Sequence, residues 1–248
     1  MSTDETQAAA ATAASSPDRV EAQAGAPDQR AVRLLRETGR VEAFSDGVFS
    51  IAATLLVLTL AVPTFEQVGT SAGLMHALVD HWPSYVAFVV SFISILIMWV
   101  GHHNVFSLIK RVDHVFLLLN GLVLLGVTVT PFTTSLLADR LSHPGARIAA
   151  FIFSAAALFV SIAYNALWYW ARRGGHLLEP DVSRRSLRAV TWQYAVAPAV
   201  YLLALGLSLW NAWASLATFI CVIVFFAFPT RASAPLSEDE DEPAGSSR

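Results

Sequence analysis

The residues in this sequence whose types and spacing could do chemistry are few, and most sit at the ends of apolar runs. Arg40, Ser45 and Asp46 open the stretch RVEAFSDGVFSIAATLLVLTLAV, from Arg40 to Val62. An unpaired carboxylate in that setting costs up to about 3 kcal/mol in a bilayer, so Asp46 needs donors, and Trp99, His102 and Asn120 are the candidates. Arg40 and Asp46 do not share a helix face, so they do not form a simple intrahelical pair. The competing reading leaves Asp46 in water at an inner vestibule and lets Arg40 reach out to lipid headgroups. A second group, His102, His103, Asn104, Asp113 and His114, invites a reading as a zinc or proton-sensing site. It contains neither a His-x-x-x-His ligand pair nor a Glu-containing catalytic signature, so hydrogen bonding near a membrane interface is the favoured role and no metal is expected. Ser91, Ser94, Ser154 and Ser161 are isolated, without a base beside them in a Ser-His, Asp-Asp or His-Glu arrangement. An enzyme is therefore not expected.

The elements that hold these residues follow from composition. The chain has 248 residues, of which 55% are hydrophobic and 14% charged, with a mean hydropathy of +0.54. That excludes an ordinary soluble domain and fits an all-α polytopic membrane protein in a lipid bilayer, without a nucleic-acid partner. The single cysteine, Cys221, rules out an intrachain disulfide framework or a cysteine-rich metal site. Crossing a bilayer takes about 20 apolar residues. Arg40–Val62 is the first such run, ended by Pro63, and a mixed loop over 64–80 follows. Further runs cover about Trp82–Gly101, Val115–Ala138, Ile148–Ala171, Ala189–Leu209 with Pro198 as a kink, and Ala212–Phe228. Only Trp210-Asn211 separates the last two. Residues 1–30 carry almost no large apolar side chains and cannot bury enough surface to order themselves. Residues 230–248 contain SEDEDE and are read the same way. The six-helix domain thus occupies 31–229. The start MSTDET is acidic and lacks an apolar core, unlike a secretory signal.

Orientation follows from the basic residues. Arg33, Arg36, Arg40, Lys110, Arg111, Arg172, Arg173, Arg184, Arg185, Arg188 and Arg231 fall on one side, and only Arg140 and Arg147 on the other. The rich side is expected to be cytoplasmic, which places both termini inside the cell membrane. Of the tryptophans, Trp82, Trp99, Trp168, Trp170 and Trp210 lie near span ends and read as interface anchors.

On a helical wheel the first run divides into two faces. Arg40, Phe44, Gly47, Ile51, Thr54, Leu55 and Leu58 form one stripe, while Ser45 and Asp46 fall on the back with Ala52 and Ala53. Taken alone, an aliphatic stripe is lipid-facing or bundle core more often than it lines a pore.

The motif RVEAFSD, with Arg40, Phe44, Ser45 and Asp46, resembles the R-x-x-x-F-S-D signature on the first helix of the transmembrane protein 175 family of potassium channels. Trp99-x-x-His102, Asn120 and Pro131-Phe132 extend the resemblance, which is good over about 40–138. It implies a potassium-permeable channel without the Thr-Val-Gly-Tyr-Gly filter, a sequence this chain lacks. It also implies a pore lined by the first helix, with the narrowest ring at Ile51 and with Thr54, Leu55 and Leu58 following. Rings of Ile and Leu gate by dewetting, and threonine hydroxyls can replace part of an ion's hydration shell. Because two-repeat members of the family pair as dimers, a single six-helix unit implies a homotetramer. The resemblance assigns Arg40, Phe44, Ser45, Asp46, Trp99, His102 and Asn120 to a structural network. It implies K⁺ as the permeant ion, and no cofactor is expected. The alternative is a secondary transporter of a small solute or ion. It is weakened because, apart from Glu42 and Asp46 near the start of the first run, no Asp, Glu or Lys lies inside a proposed span.

Overall fold

The computed structural model describes residues 29–60, 62–63, 70–173, 177–178 and 184–227. The segments 1–28 and 228–248, which hold most of both tails read above as disordered, lie outside the described residues. Among the described residues the chain is all-helical: α1 (Gln29–Leu55), α2 (Ser71–Asp80), α3 (Trp82–Phe106), α4 (His114–Arg140), α5 (Ala146–Arg172), α6 (Arg184–Trp210) and α7 (Ala212–Ala227). Five helices are long and apolar enough to cross a membrane, within α1, α3, α4, α5 and α6; the apolar part of α7 is shorter.

Local chemistry sets the helix ends. Asp113 caps α4 by accepting from the Phe116 amide at 2.7 Å. Pro83 sits in the first turn of α3, where its missing N–H costs nothing. Gly145 precedes α5 at φ 96°, a backbone that favours glycine. The break between α6 and α7 is one residue, Asn211, whose side-chain oxygen accepts from the Trp213 amide at 2.8 Å and the Ala214 amide at 3.3 Å. Pro198 inside α6 cannot donate to the Tyr194 carbonyl one turn back. Asn165 of α5 supplies the donor instead, at 2.7 Å.

Two expectations change. The first helix does not run to Val62. It tightens into a 3-10 turn over Leu56–Thr59, and Leu60 is already extended. Thr59 donates its hydroxyl to the Leu56 carbonyl at 2.7 Å, and the run Val57-Leu58-Thr59 contains two β-branched residues that crowd an α-helix. The segment 64–80 is not all loop either, since 71–80 is helical. Thr70 accepts from the Gly73 amide at 3.1 Å and starts that helix. No residue of α2 is buried.

α5 packs along α4 and α6, α7 covers α6 and touches α3 and α5, and α1 lies against α3 and α4. The interior forms two apolar clusters. One gathers Phe49, Ala52 and Leu56 of the first segment with Ile95, Phe106, Phe116, Val127, Leu167 and Tyr194. The other, around Ala87, Val90, Leu137, Phe153, Leu216 and Phe219, contains no residue of α1. Close helix approach needs small residues. At Gly126 an added Cβ would overlap the Val160 side chain and approach Phe159 Cδ1 to 3.1 Å. Val160 is β-branched and fully packed, so it cannot swing aside. Gly126→Ala is therefore expected to separate α4 from α5 and to destabilise the fold by about 1–3 kcal/mol. A lowered unfolding temperature of the detergent-solubilised protein would register this, and an unchanged one would show that the helices yield.

Candidate functional site

The site grows from the register of α1 against its neighbours. Glu42 and Asp46 are one turn apart on α1, and Trp99 and His103 are one turn apart on α3, so antiparallel helices bring the pairs together in reverse order. The Trp99 indole donates to Asp46 Oδ1 at 2.9 Å. His103 Nδ1 lies 3.2 Å from Glu42 Oε1 and forms an ion pair when protonated, and its ring stacks on Trp99 with centroids 6.1 Å apart.

Beneath this exposed layer runs a buried one. Ser45 donates to the Val41 carbonyl at 2.9 Å, so its oxygen accepts from Asn120 Nδ2 at 3.0 Å. That fixes the Asn120 amide with Oδ1 toward His102 Nε2, 2.9 Å away, and makes the imidazole the donor. The order is therefore His102 to Asn120 to Ser45 to the α1 backbone. All three side chains are buried. Phe49 and Phe106 pack on the imidazole, and His102 Nδ1 is left without a hydrogen-bond partner. Three helices are pinned together by polar groups that lipid cannot satisfy.

The donor that reaches Asp46 is thus Trp99, while His102 and Asn120 serve Ser45. Arg40 and Phe44 are not drawn in. Both are exposed, and among the described residues Arg40 makes no hydrogen bond or ion pair. They belong instead to an exposed stripe on the opposite face of α1, where Phe44 is 68% exposed, Ile51 61%, Leu55 44% and Leu58 76%. Gly47 and Thr54 are exposed on the same stripe, whereas Ser45, Phe49, Ala52 and Leu56 are buried on the back. Thr54 donates its hydroxyl to the Ile51 carbonyl at 2.9 Å. Its proton is used within the helix, and the hydroxyl oxygen keeps its acceptor capacity on the exposed face.

The histidine-rich loop does not gather. His102 turns inward, His103 meets Glu42, and Asp113 caps α4 while accepting from the Trp170 indole at 3.0 and 3.1 Å. Among the described residues no group of three or more His, Cys, Asp or Glu side chains is arranged to hold a metal ion. A groove of about 330 Å³ lies between α1 and α3, lined by residues that include Asp46, Phe49, Ile95 and Trp99.

Sequence reasoning did not find the Glu42–His103 pair, although the matching one-turn spacings on α1 and α3 carry the signal. It also did not find the fastening of the loop between α3 and α4. Thr38 donates to the Lys110 carbonyl at 3.3 Å, and the Lys110 amide donates to the Leu177 carbonyl at 2.8 Å. Tyr164 and Tyr194 donate to the Met98 and Gly101 carbonyls of α3 at 2.7 and 2.8 Å. Main-chain acceptors leave no trace in residue types.

Comparison with known proteins places these features. Residues 40–131 match the family described as endosomal/lysosomal potassium channel TMEM175. A potassium channel of Chamaesiphon minutus is 47% identical over 196 residues, which is 79% of this chain and 96% of that one. A potassium channel of Streptomyces collinus is 43% identical over 210 residues, 81% of this chain and 98% of that one. Among solved structures, a lysosomal potassium-selective channel TMEM175 homolog from Chamaesiphon minutus superposes with a TM-score of 0.70 at 46% identity, covering 77% of this chain and 97% of that chain.

Proposed function

Since this chain belongs to the TMEM175 potassium channel family, we propose that it forms a potassium-permeable cation channel, with the exposed stripe of α1 lining the ion path. The observation that carries this reading is the two-sidedness of α1. Its back is tied down by the Ser45–Asn120–His102 chain and by Phe49 and Leu56, while Ile51, Thr54, Leu55 and Leu58 face outward together. A helix fixed this firmly presents its free face at a defined angle.

We read the pore as a homotetramer, because one chain contributes one such helix, a closed ring needs copies related by rotation, and two-repeat members of the family pair as dimers. Four Ile51 side chains form the narrowest ring. Thr54, about one turn further along, offers hydroxyl oxygens to a partly dehydrated K⁺. α7, at 16 residues or about 24 Å, completes six spans if the bilayer thins or the turn at Asn211 lies in the headgroup region. With the arginine-rich ends inside, both termini are cytoplasmic and the protein sits in the cell membrane.

Reconstitution tests this. Liposomes loaded with K⁺ and supplied with a protonophore for charge balance are expected to lose K⁺ through the purified protein down its gradient, with slower loss when Na⁺ replaces K⁺. Flux that requires a second solute gradient would instead establish a coupled transporter.

A further inference from the structure

We propose that the cytoplasmic end of α6 and the groove between α6 and α7 form a binding site for an anionic glycerophospholipid, whose phosphate meets arginines and whose acyl chain lies along the groove. The site rests on the membrane reading alone and does not require ion conduction.

The groove has a volume of about 500 Å³ and is almost wholly apolar, with walls that include Trp192, Val196, Val200 and Leu203 of α6 and Ala214 and Cys221 of α7. Trp192 to Leu203 spans about 16 Å at 1.5 Å per residue, a length suited to an acyl chain running parallel to the helices. On α7 the lining residues Ala214, Ala217, Thr218, Cys221 and Val222 fall at i, i+3, i+4, i+7 and i+8, so one continuous face closes the other wall. The mouth is marked by Trp192, 61% exposed, an aromatic suited to headgroup depth.

Charge at that mouth identifies the headgroup. Arg188 lies one turn before Trp192 and Arg184 one turn earlier, and both are exposed. Arg172, at the end of α5, donates to Thr191 Oγ1 at 2.8 Å, which ties a third guanidinium to the same turn of α6. Arg173 follows it, also exposed. In sequence the segment 172–188 carries five arginines against Glu179 and Asp181. A phosphodiester at this mouth gains charge-assisted hydrogen bonds while its chain leaves water. A zwitterionic lipid keeps the chain burial but forfeits the net attraction.

The test is native mass spectrometry of the purified full-length protein with phosphatidylglycerol or phosphatidylcholine of the same acyl chains. Preferential retention of phosphatidylglycerol is expected. An Arg184→Gln/Arg188→Gln double variant is expected to lose about twenty-five-fold in phosphatidylglycerol affinity, at about fivefold per cation, and little for phosphatidylcholine. Both arginines are exposed, so the unfolding temperature without lipid should stay unchanged. Val200→Trp, which fills the groove, is expected to reduce retention of both lipids. Inorganic phosphate at millimolar concentration should not displace the lipid. Equal retention of the two lipids, an unaltered affinity in the arginine variant, or displacement by phosphate alone would overturn the proposal. None of these readouts moves if the protein conducts a different ion.

Discussion

Ile51→Asn is expected to raise passive cation flux through the reconstituted protein about tenfold or more while K⁺ over Na⁺ discrimination falls. In the proposed tetramer four Ile51 side chains, each 61% exposed in a single chain, meet at the axis. An apolar ring of that size excludes water, and the barrier is the cost of stripping or rewetting the ion at that point. Four amides bind water at the same place, and removing about 1.4 kcal/mol of barrier suffices for a tenfold gain. Ile51 is exposed and belongs to neither apolar cluster, so the fold of each chain should be retained. Thr54→Ala should behave differently. It removes four acceptor oxygens without widening the Ile51 ring, so selectivity falls while closed-state leak stays near that of the unaltered protein. Fluxes of K⁺ and Na⁺ through correctly assembled variants decide the matter. Wild-type rate and selectivity in Ile51→Asn would mean that α1 does not line the path.

The second large effect concerns Asn120. Asn120→Leu removes the acceptor of His102 and the donor to Ser45 in one step. Ser45 still donates to the Val41 carbonyl, but His102 then has neither ring nitrogen paired and no exposed surface. A buried polar group stripped of its partner costs about 1–3 kcal/mol, and the loss falls on the junction of α1, α3 and α4. Lower unfolding temperature and a reduced yield of assembled protein are expected. Adding His102→Leu should recover part of the loss, because two apolar partners of similar size satisfy each other. A double variant worse than the sum of its parts would show that the imidazole serves another group. Asp46→Asn should do much less, since the amide oxygen still accepts from Trp99 on a half-exposed surface.

Much of this arrangement is legible from residue types. The wheel of the first run separates Ser45 and Ala52 from Ile51, Thr54 and Leu58, and the same division appears in burial. The need of Asp46 for a donor leads to Trp99, because an indole N–H on a facing helix end is one of few groups able to serve. What escaped depends on geometry that residue identity does not encode. The early tightening at Leu56 comes from a hydroxyl-to-carbonyl bond within one turn. The start of α2 depends on a single cap at Thr70. The contribution of α5 and α6 lies in two tyrosines that reach carbonyls of α3 and in Asn165, which completes the backbone opposite Pro198. Hydropathy records these segments as uniformly apolar and gives no hint of such cross-links.

The uneven support of the first segment has a mechanical consequence. From Thr38 to Phe49 it is fastened by hydrogen bonds and by a buried ring, and Leu56 is a further fixed point with no exposed surface. Past Leu56, Val57, Leu58 and Val62 are all more than half exposed. The segment is thus a beam held at two bearings with a free overhang. Ile51 lies between the bearings, where support on both sides limits its travel, and Leu58 lies on the overhang, where a small tilt produces the largest sideways travel. In the proposed ring of four such beams, the bore at residue 51 would be stiff, and the mouth at residue 58 could widen or narrow without altering it.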